Sequence, residues 1–255
     1  MNADVFDLNG KVLKPIELPS LFEEQVRKDL ILRAIASENR YLLQPQGSYR
    51  FAGMETSAVY VGRMNVYRTG RHMGIAIRPR EKLGGGVQGK VKRIPSATKG
   101  RRAHPHKVEK ILNEKINKKE YQKAIASAIS YTCANAQHKP IVVTNEIESL
   151  PKTKQVIAVL KALNLQQSLE KKKRIRKGLR RSSKQNVYKK TVLIIVSGNA
   201  GILKSGRNIA GVDVCTTKAI SANLLVPGGN SKRAVIWSEN AIKNIQQDIK
   251  ELHLK

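Results

Sequence analysis

The five consecutive aliphatic residues Val192-Leu193-Ile194-Ile195-Val196 form the most strand-like segment of the chain. Three other short runs have a β-rich composition, at 141–143, 212–215 and 234–237. Segments with the periodicity of a helix lie between and after these runs, at 154–163, 219–225 and 238–252. Strands that alternate with helices in this way are typical of βαβ units with a parallel sheet. We therefore predict an α/β domain of three layers around a mostly parallel sheet.

The N-terminal segment predicts a hairpin and a helix that pack on this domain. Asn9-Gly10 lies between Val5-Phe6 and Val12-Leu13 and favours a tight hairpin, because both residues tolerate a positive φ. Ser20-Leu21-Phe22-Glu23 has the spacing of a capping box. The apolar residues that follow it recur at helical spacing, which predicts an amphipathic helix ending at about Ile35.

The net charge of the chain is +29, and most of it lies in two short segments. Residues 44–110 contain 15 Lys and Arg against three acidic residues, and residues 171–190 contain 11 against none. These segments carry +12 and +11, whereas the remaining 168 residues, with 22 basic and 16 acidic side chains, hold only +6. A fairly ordinary globular domain therefore carries two strongly basic segments.

Segments of this charge need a polyanionic partner, because they offer little apolar surface to offset an ordering entropy of about 1–2 kcal/mol per residue. RNA and DNA are the obvious partners. A basic protein of the membrane surface would need an amphipathic helix or a lipidation signal, and the first segment has neither. No long apolar run and no signal peptide is present, so the chain is expected neither to span a membrane nor to be secreted. Cys133 and Cys215 are expected to be buried free thiols.

Residues 44–104 are predicted to form an extended basic loop, and residues 1–43 and 105–255 the globular domain, with a basic insert at about 170–190. Glycines, prolines and basic residues interrupt every helical or strand period up to Gly100. Such a run is uncommon in a compact domain unless it is functional. Helical periodicity returns at 107–112, and a second helix is expected to open at Asn117.

Three sequence features that would indicate an enzyme are incomplete. Gly84 and Gly89-Lys90 have the spacing of a P-loop, but Val91 stands where a Ser or Thr would hold magnesium. Ser197-Gly198-Asn199-Ala200-Gly201 follows a predicted strand but is not the dinucleotide-binding fingerprint. An RNA methyltransferase would also combine a parallel sheet with basic surfaces, but Asp213 is its only candidate acidic residue. We expect no catalytic residue and no cofactor, and we keep a methyltransferase-like RNA-modifying enzyme and a DNA-compacting protein as alternatives.

Histidines and aromatic residues of the first basic segment have two readings each. His104-Pro105-His106 has no third metal ligand nearby, so we predict no metal site and expect both imidazoles to contact phosphate or bases. Tyr49, Phe51, Tyr60 and Tyr67 are interleaved with arginines. They either anchor the root of the loop by apolar contacts or stack on unpaired bases.

The residues predicted to contact nucleic acid are mostly the cations of the two basic segments. In the first segment they are Tyr49, Arg50, Arg63, Arg68, Arg71, His72, Arg78, Arg80, Lys90, Lys92, Arg93, Lys99, Arg101, Arg102, His104, His106 and Lys107. In the second segment they are Lys171, Lys172, Lys173, Arg174, Arg176, Lys177, Arg180, Arg181 and Lys184.

Three motifs of the first basic segment carry a resemblance to a known family. They are Tyr67-Arg68-Thr69-Gly70-Arg71, Val91-Lys92-Arg93-Ile94-Pro95 and Lys99-Gly100-Arg101-Arg102-Ala103-His104-Pro105. Together they resemble the extended loop of the large-subunit ribosomal protein L4 family in its archaeal and eukaryotic form. Ala222-Asn223-Leu224-Leu225-Val226-Pro227-Gly228-Gly229 is similar to a later part of that family, so the resemblance covers essentially the whole chain. No long basic extension follows Lys255, which favours the archaeal type.

The resemblance implies a non-catalytic, cytoplasmic protein of the ribosome, present as a monomer in the large subunit. It implies that the globular domain and the basic insert bind domain I of the large-subunit rRNA. It also implies that the loop lines the constriction of the nascent-peptide exit tunnel, opposite ribosomal protein L22 and among other large-subunit proteins. On this resemblance the residues that hold the loop on rRNA are Arg68, Arg71, Arg93, Arg101, Arg102 and His104. The residues expected to face the tunnel are Arg71, His72, Met73 and Gly74.

Overall fold

The computed structural model describes residues 2–65, 69, 71–135, 140–165, 174–176, 185–187, 189–198, 201–230 and 233–251. The chain divides into two compact units. Residues 1–42 and 113–255 form the first, which we call the sheet domain. Residues 43–112 form the second, which we call the loop unit.

The sheet domain contains a six-stranded sheet with one antiparallel pair. Its strands are β1 (Asn2–Phe6), β2 (Val12–Glu17), β5 (Ile141–Val143), β8 (Val192–Val196), β9 (Val212–Thr216) and β10 (Ala234–Ser238). They lie in the order β2-β1-β5-β10-β8-β9, and every pair except β1 with β2 is parallel. Two short antiparallel hairpins pair β3 (Arg80–Lys82) with β4 (Gln88–Val91) and β6 (Arg174–Arg176) with β7 (Gln185–Val187). The predicted mostly parallel sheet is confirmed.

Helices cover both faces of this sheet. They are α1 (Lys28–Tyr41), α2 (Lys118–Asn135), α3 (Thr153–Ala162), α4 (Ile202–Arg207), α5 (Ala222–Leu225) and α6 (Glu239–Glu251). Successive residues of a strand point to opposite faces of a sheet, and β8 shows this directly. Leu193 and Ile195 join a core with α1, α2, α5 and α6, whereas Val192, Ile194 and Val196 join a second core with α3 and α4. The three-layer α/β architecture predicted from the sequence is therefore confirmed.

The buried carboxylate of Glu38 joins three helices on one face of the sheet. The buried Glu38 of α1 accepts hydrogen bonds from the Tyr121 hydroxyl of α2 (2.8 Å) and from the backbone amides of Ala222 (2.7 Å) and Asn223 (2.9 Å) at the start of α5. A carboxylate is favourable at a helix N-terminus, where the backbone amides lack partners in the helix. Burial and the neighbouring Glu38 together raise the pKa of Tyr121.

The N-terminal hairpin is confirmed, but the predicted helix that follows it is wrong at its start. Ser20–Phe22 forms a single 3-10 turn, and α1 begins only at Lys28. Side chains of α2 explain the break, because the hydroxyl of Ser130 donates to the Leu21 carbonyl (2.9 Å) and that of Ser127 to the Gln25 carbonyl (3.2 Å). The Arg27 amide donates to the Ser127 hydroxyl (2.6 Å) and not to a carbonyl one turn earlier, as it would in a continuous helix.

Two further helix predictions need correction. Residues 107–112 form no helix, and the apolar side chains that suggested one, Val108 and Ile111, are 63% and 84% exposed. A six-residue helix has little stability unless it packs its apolar face, and this one would bury none of it. The helix predicted at 219–225 is shorter, because Thr217–Ala219 is a 3-10 turn and Ser221 begins α5 by accepting the Leu224 amide (3.2 Å).

The remaining element predictions agree with the structure. The helix expected to open at Asn117 is α2, whose first turn is closed by a hydrogen bond from the Tyr121 amide to the Asn117 carbonyl (2.9 Å). The helix expected from 238 is α6, and Ser238 caps it by accepting the Ala241 amide (3.2 Å); residue 252 lies outside the described part. Among the residues described, no helix is both long and apolar enough to cross a bilayer.

Candidate nucleic-acid interface

The loop unit has almost no interior. Of its described residues, Ala58 alone is buried. Both hydrophobic cores consist of sheet-domain residues, and large apolar side chains of the loop unit such as Tyr60, Met64 and Met73 are exposed. Apolar burial supplies most of the stability of an ordinary domain, and here it is close to absent.

Hydrogen bonds between distant segments give the loop unit its form. The Ser48 amide donates to the His106 carbonyl (3.1 Å), and the Lys92 amide donates to the Pro79 carbonyl (3.0 Å). Between these contacts Val59 forms an isolated antiparallel bridge with Arg80, at the start of the β3–β4 hairpin. Two chain segments therefore run side by side through the unit without a packed core between them.

Glycines permit the closest approach of these segments. Gly53 has a φ of +77°, and a β-carbon there would lie 2.4 Å from the carbonyl oxygen of Gly100. A β-carbon on Gly100 would lie 2.0 Å from the carbonyl oxygen of Ile94. Neither position can carry a side chain in this geometry.

Four of the predicted RNA-binding cations also donate hydrogen bonds to backbone carbonyls within the loop unit. The Arg71 Nε donates to the Gly62 carbonyl (3.1 Å) and the Arg93 Nε to the Met54 carbonyl (3.1 Å). Arg80 donates to the Ala76 carbonyl (3.1 Å), and the Lys92 Nζ lies 3.4 Å from the Thr98 carbonyl. Backbone carbonyls carry only a partial negative charge, so these contacts leave the positive charge of each side chain available to an outside anion.

The other predicted cations in the described part of the loop unit are exposed and have no carboxylate partner. The exposed residues are Arg50, Arg63, His72, Arg78, Lys90, Lys99, Arg101, Arg102, His104, His106 and Lys107. Among the described residues of this unit, no cation lies within 4.0 Å of a carboxylate. Glu55, one of its few acids, accepts a hydrogen bond from the Tyr49 hydroxyl instead, which raises the pKa of Tyr49. The structure thus gathers positive charge without neutralising it.

The aromatic pair at the root is exposed. The rings of Tyr49 and Phe51 meet edge to face at 6.0 Å, and the two residues remain 60% and 50% exposed. Each ring therefore keeps apolar surface that a base could cover.

The residues expected to face the tunnel form an exposed turn. His72 and Gly74 both have a positive φ, +59° and +68°, and Met73 is exposed. Met73 also lines a cavity of about 710 Å³ whose walls include Val61, Ile77 and Leu83. What this turn faces in an assembly stays a prediction.

The second basic segment is described only in part. Arg174 and Arg176 lie in β6, which pairs with β7. The other predicted cations of that segment, and Arg68 of the first, lie outside the described residues; they are Lys171, Lys172, Lys173, Lys177, Arg180, Arg181 and Lys184.

The features that favoured an enzyme have structural roles. Gly84–Gly86 forms the turn between β3 and β4, so no helix follows it to complete a P-loop. Asp213 is bound by the buried Arg233 (2.6 Å) and by Lys190 (3.1 Å). Burial alone would raise the pKa of Asp213, but the two cations outweigh it and the pKa is lowered. Within the part of the chain described, no three His, Cys, Asp or Glu side chains converge as metal ligands.

The carboxyl edge of the sheet, where ligands of open α/β folds bind, is filled by the chain itself. The Glu148 carboxylate accepts hydrogen bonds from the Ser197 amide (2.9 Å), the Ser197 hydroxyl (2.9 Å) and the Ser238 hydroxyl (2.6 Å). Ser197 directly follows β8, and Ser238 is the last residue of β10. Glu148 therefore binds the donors that an anionic ligand at this edge would use. Sequence patterns missed Glu148 and Arg233, because neither belongs to a motif.

The chain combines an α/β domain that has a packed core with an exposed, cationic unit that has none. This combination is typical of a protein that binds folded polyanions. The chain belongs to the ribosomal protein L4/L1 family, whose model matches residues 16–248. It is 41% identical to the large ribosomal subunit protein uL4 of Methanococcus vannielii, over 97% of this chain and 99% of the relative. It is 38% identical to uL4 of Methanocaldococcus jannaschii (97% and 99%) and 36% identical to uL4 of Methanospirillum hungatei (96% and 98%).

These relatives are archaeal, so the resemblance found in the sequence is confirmed in family and in type. Membership gives the chain a structural role in the large ribosomal subunit, and the ribosome is a cytoplasmic particle.

Proposed function

We propose that the protein binds domain I of the large-subunit rRNA through the sheet domain and the basic insert at about 170–190. The loop unit extends this contact and lines the constriction of the peptide exit tunnel with Arg71, His72, Met73 and Gly74, opposite ribosomal protein L22. One observation carries the proposal. A unit of 70 residues has a single buried residue and no internal ion pair among the residues described.

Energetics support an RNA partner for this unit. Fixing a backbone costs about 1–2 kcal/mol per residue, which a unit without a core does not recover from apolar burial. Contacts between cations and phosphates supply the missing free energy, because each neutralised phosphate releases condensed counterions.

The cations divide into two roles under this proposal. Arg71, Arg80, Lys92 and Arg93 fix the shape of the loop unit through backbone carbonyls and present their charge from defined positions. The exposed group that includes Lys99, Arg101 and Arg102 binds phosphates directly. Tyr49 and Phe51 stack on unpaired bases, because their exposed rings offer the apolar faces that bases cover.

Salt-dependent binding to a transcript of rRNA domain I tests the proposal. We expect the log–log plot of affinity against salt to be steep. Replacing Lys99, Arg101 and Arg102 by Gln reduces its slope by about 2 to 3, since each lost phosphate contact contributes about 0.9. The matched control replaces three exposed lysines of the sheet domain, Lys152, Lys154 and Lys161, and changes the slope by less than half as much. Equal losses for both triple variants, or a flat salt dependence in the parent protein, would contradict the proposal.

A further inference from the structure

A groove of about 430 Å³ follows the outer edge of the sheet at β9. It is lined by four consecutive residues of that strand, 213–216. Neighbouring strand residues point to opposite faces, so a cavity that touches all four must run along the strand edge. Leu203 and Arg207 of α4 form one wall, and Leu224 of α5 contributes to the other. We call this cavity the edge groove.

Within the described part of the chain, the side of β9 that faces the edge groove has no partner strand. Among the strands described, β9 is the last of the sheet and pairs only with β8. Natural proteins protect such edges with proline or with charged side chains, because unpaired amides and carbonyls recruit other strands.

The opposite edge of the same sheet has this protection. The other terminal strand, β2, contains Pro15, which has no amide hydrogen to offer, and Lys14, which pairs with Glu239 at 2.7 Å. The strand β9 has the sequence Val-Asp-Val-Cys-Thr, and its one charge, Asp213, is neutralised by Arg233 and Lys190. Among the strands described, β2 at one edge of the sheet is protected against pairing, whereas β9 at the other edge has no second partner strand.

The charge around the edge groove selects the partner. Arg207 lines it, and the exposed Lys204 and Lys218 lie on the two segments that border it, α4 and the turn after β9. Among described residues, none of these three cations has a carboxylate within 4.0 Å. An incoming segment with acidic side chains would neutralise them.

We propose that the edge groove receives an extended acidic peptide segment of another protein, which pairs with β9 as a seventh strand of the sheet. RNA fits less well, because a strand edge presents carbonyl oxygens as well as amides, and phosphates repel the carbonyls. A second copy of this chain also fits less well, because each copy carries a net charge of +29. Backbone pairing supplies affinity, and the cations select the sequence.

The test uses the full-length protein and an eight-residue peptide of alternating glutamate and valine, acetylated and amidated at its ends. Hydrogen–deuterium exchange is followed at 212–216. We expect saturating peptide to slow exchange there at least tenfold. The same peptide N-methylated at every residue keeps its charge but cannot pair as a strand, and it should bind at least tenfold more weakly. A peptide of alternating lysine and valine can pair as a strand but has the wrong charge, and it should also bind at least tenfold more weakly.

Variants locate the effect. Arg207→Glu should weaken binding of the acidic peptide at least fivefold, and the matched control Lys161→Glu, on α3, less than twofold; thermal unfolding checks that both variants fold. Equal binding of the N-methylated peptide, or no protection of β9, would overturn the proposal. Protection of β9 by a twelve-nucleotide oligouridylate would overturn it in favour of RNA. Protection that grows with protein concentration alone would overturn it in favour of a second copy.

Discussion

The sheet domain and the loop unit treat their charged residues in opposite ways. In the sheet domain, several cations bind carboxylates, as in the pairs Arg33–Glu120 (2.9 Å) and Arg40–Glu114 (3.1 Å). Arg233, the one arginine that is buried among the described residues, donates hydrogen bonds to three acceptors. In the described part of the loop unit, cations meet only backbone carbonyls or solvent. The sheet domain thus neutralises part of its positive charge internally, whereas the described part of the loop unit forms no ion pair.

The same contrast holds for apolar residues. Trp237 is fully buried, and its ring meets that of Phe22 at 5.4 Å, in the core that unites α1, α2, α5 and α6. Ile75 and Ile77, in the loop unit, are each 42% exposed. Apolar burial therefore stabilises the sheet domain, whereas the described part of the loop unit buries almost no apolar surface.

The largest expected effect is a loss of stability when a core side chain of the sheet domain is removed, compared with the removal of an exposed side chain of the loop unit. Trp237→Ala should lower the free energy of unfolding by about 3–5 kcal/mol, because it leaves a cavity in a closely packed core. Ile75→Ala should change it by less than about 0.5 kcal/mol, because the side chain is exposed. Urea unfolding measures both, and similar losses would mean that the loop unit contributes to the stability of the whole chain.

A smaller effect is expected at the buried ion pair. Arg233→Ala leaves the carbonyls of Val192 and Leu224 without this donor and leaves Asp213 with Lys190 alone, and should cost about 3 kcal/mol. Lys190→Ala removes the half-exposed partner of the same carboxylate and should cost less than about 1 kcal/mol. Urea unfolding measures both losses of stability, and equal losses would show that the burial of Arg233 does not increase its contribution to stability.

Acid should weaken the sheet domain through the same carboxylate. The folded pKa of Asp213 lies below its ordinary value of 3.8, so the unfolded chain takes up the proton first. The stabilisation is therefore present at neutral pH and is lost as pH falls below that ordinary value. Asp213→Asn should flatten the decline of the melting temperature over this acidic range. An unchanged slope would mean that other carboxylates set the acid sensitivity.

The smallest effect on stability is expected at the close crossing in the loop unit. Gly53→Ala places a methyl group against the Gly100 carbonyl and should leave the melting temperature within about 1 °C, while lowering affinity for the rRNA domain I transcript about tenfold. Gly74→Ala is the matched control, because its φ is also positive but no atom lies within 4 Å of the added carbon. Equal losses of affinity would assign the effect to backbone strain and not to the crossing.

Much of the sheet domain could be predicted because its apolar residues repeat with the period of the element they form. The run Val192–Val196 and the apolar face of α2 are cases in which local pattern and tertiary packing agree. The pattern failed where long-range contacts took over the backbone. Ser127 and Ser130, about a hundred residues away in sequence, bind the backbone between Leu21 and Arg27, where a helix was predicted from Ser20.

The candidate interface could be predicted as a set of charges but not as a geometry. The density of Lys and Arg in residues 44–104 is enough, without a structure of the protein, to indicate that its partner is a polyanion. It does not indicate that Arg71, Arg80, Lys92 and Arg93 bind carbonyls of their own unit, or that Val108 and Ile111 remain exposed. These contacts and exposures depend on which segments lie side by side. Gly53 and Gly100 permit the close approach of such segments, but the sequence does not show which segments they bring together.

Hydrogen–deuterium exchange of the free protein and of the protein in reconstituted large ribosomal subunits tests the central claim most directly. In the free protein, amides of the central strands β8 and β10 should exchange at least a thousandfold more slowly than those of residues 43–112. In the subunit, residues 43–112 should become protected while the strands change little. Strong protection of residues 43–112 in the free protein, or none in the subunit, would contradict the account.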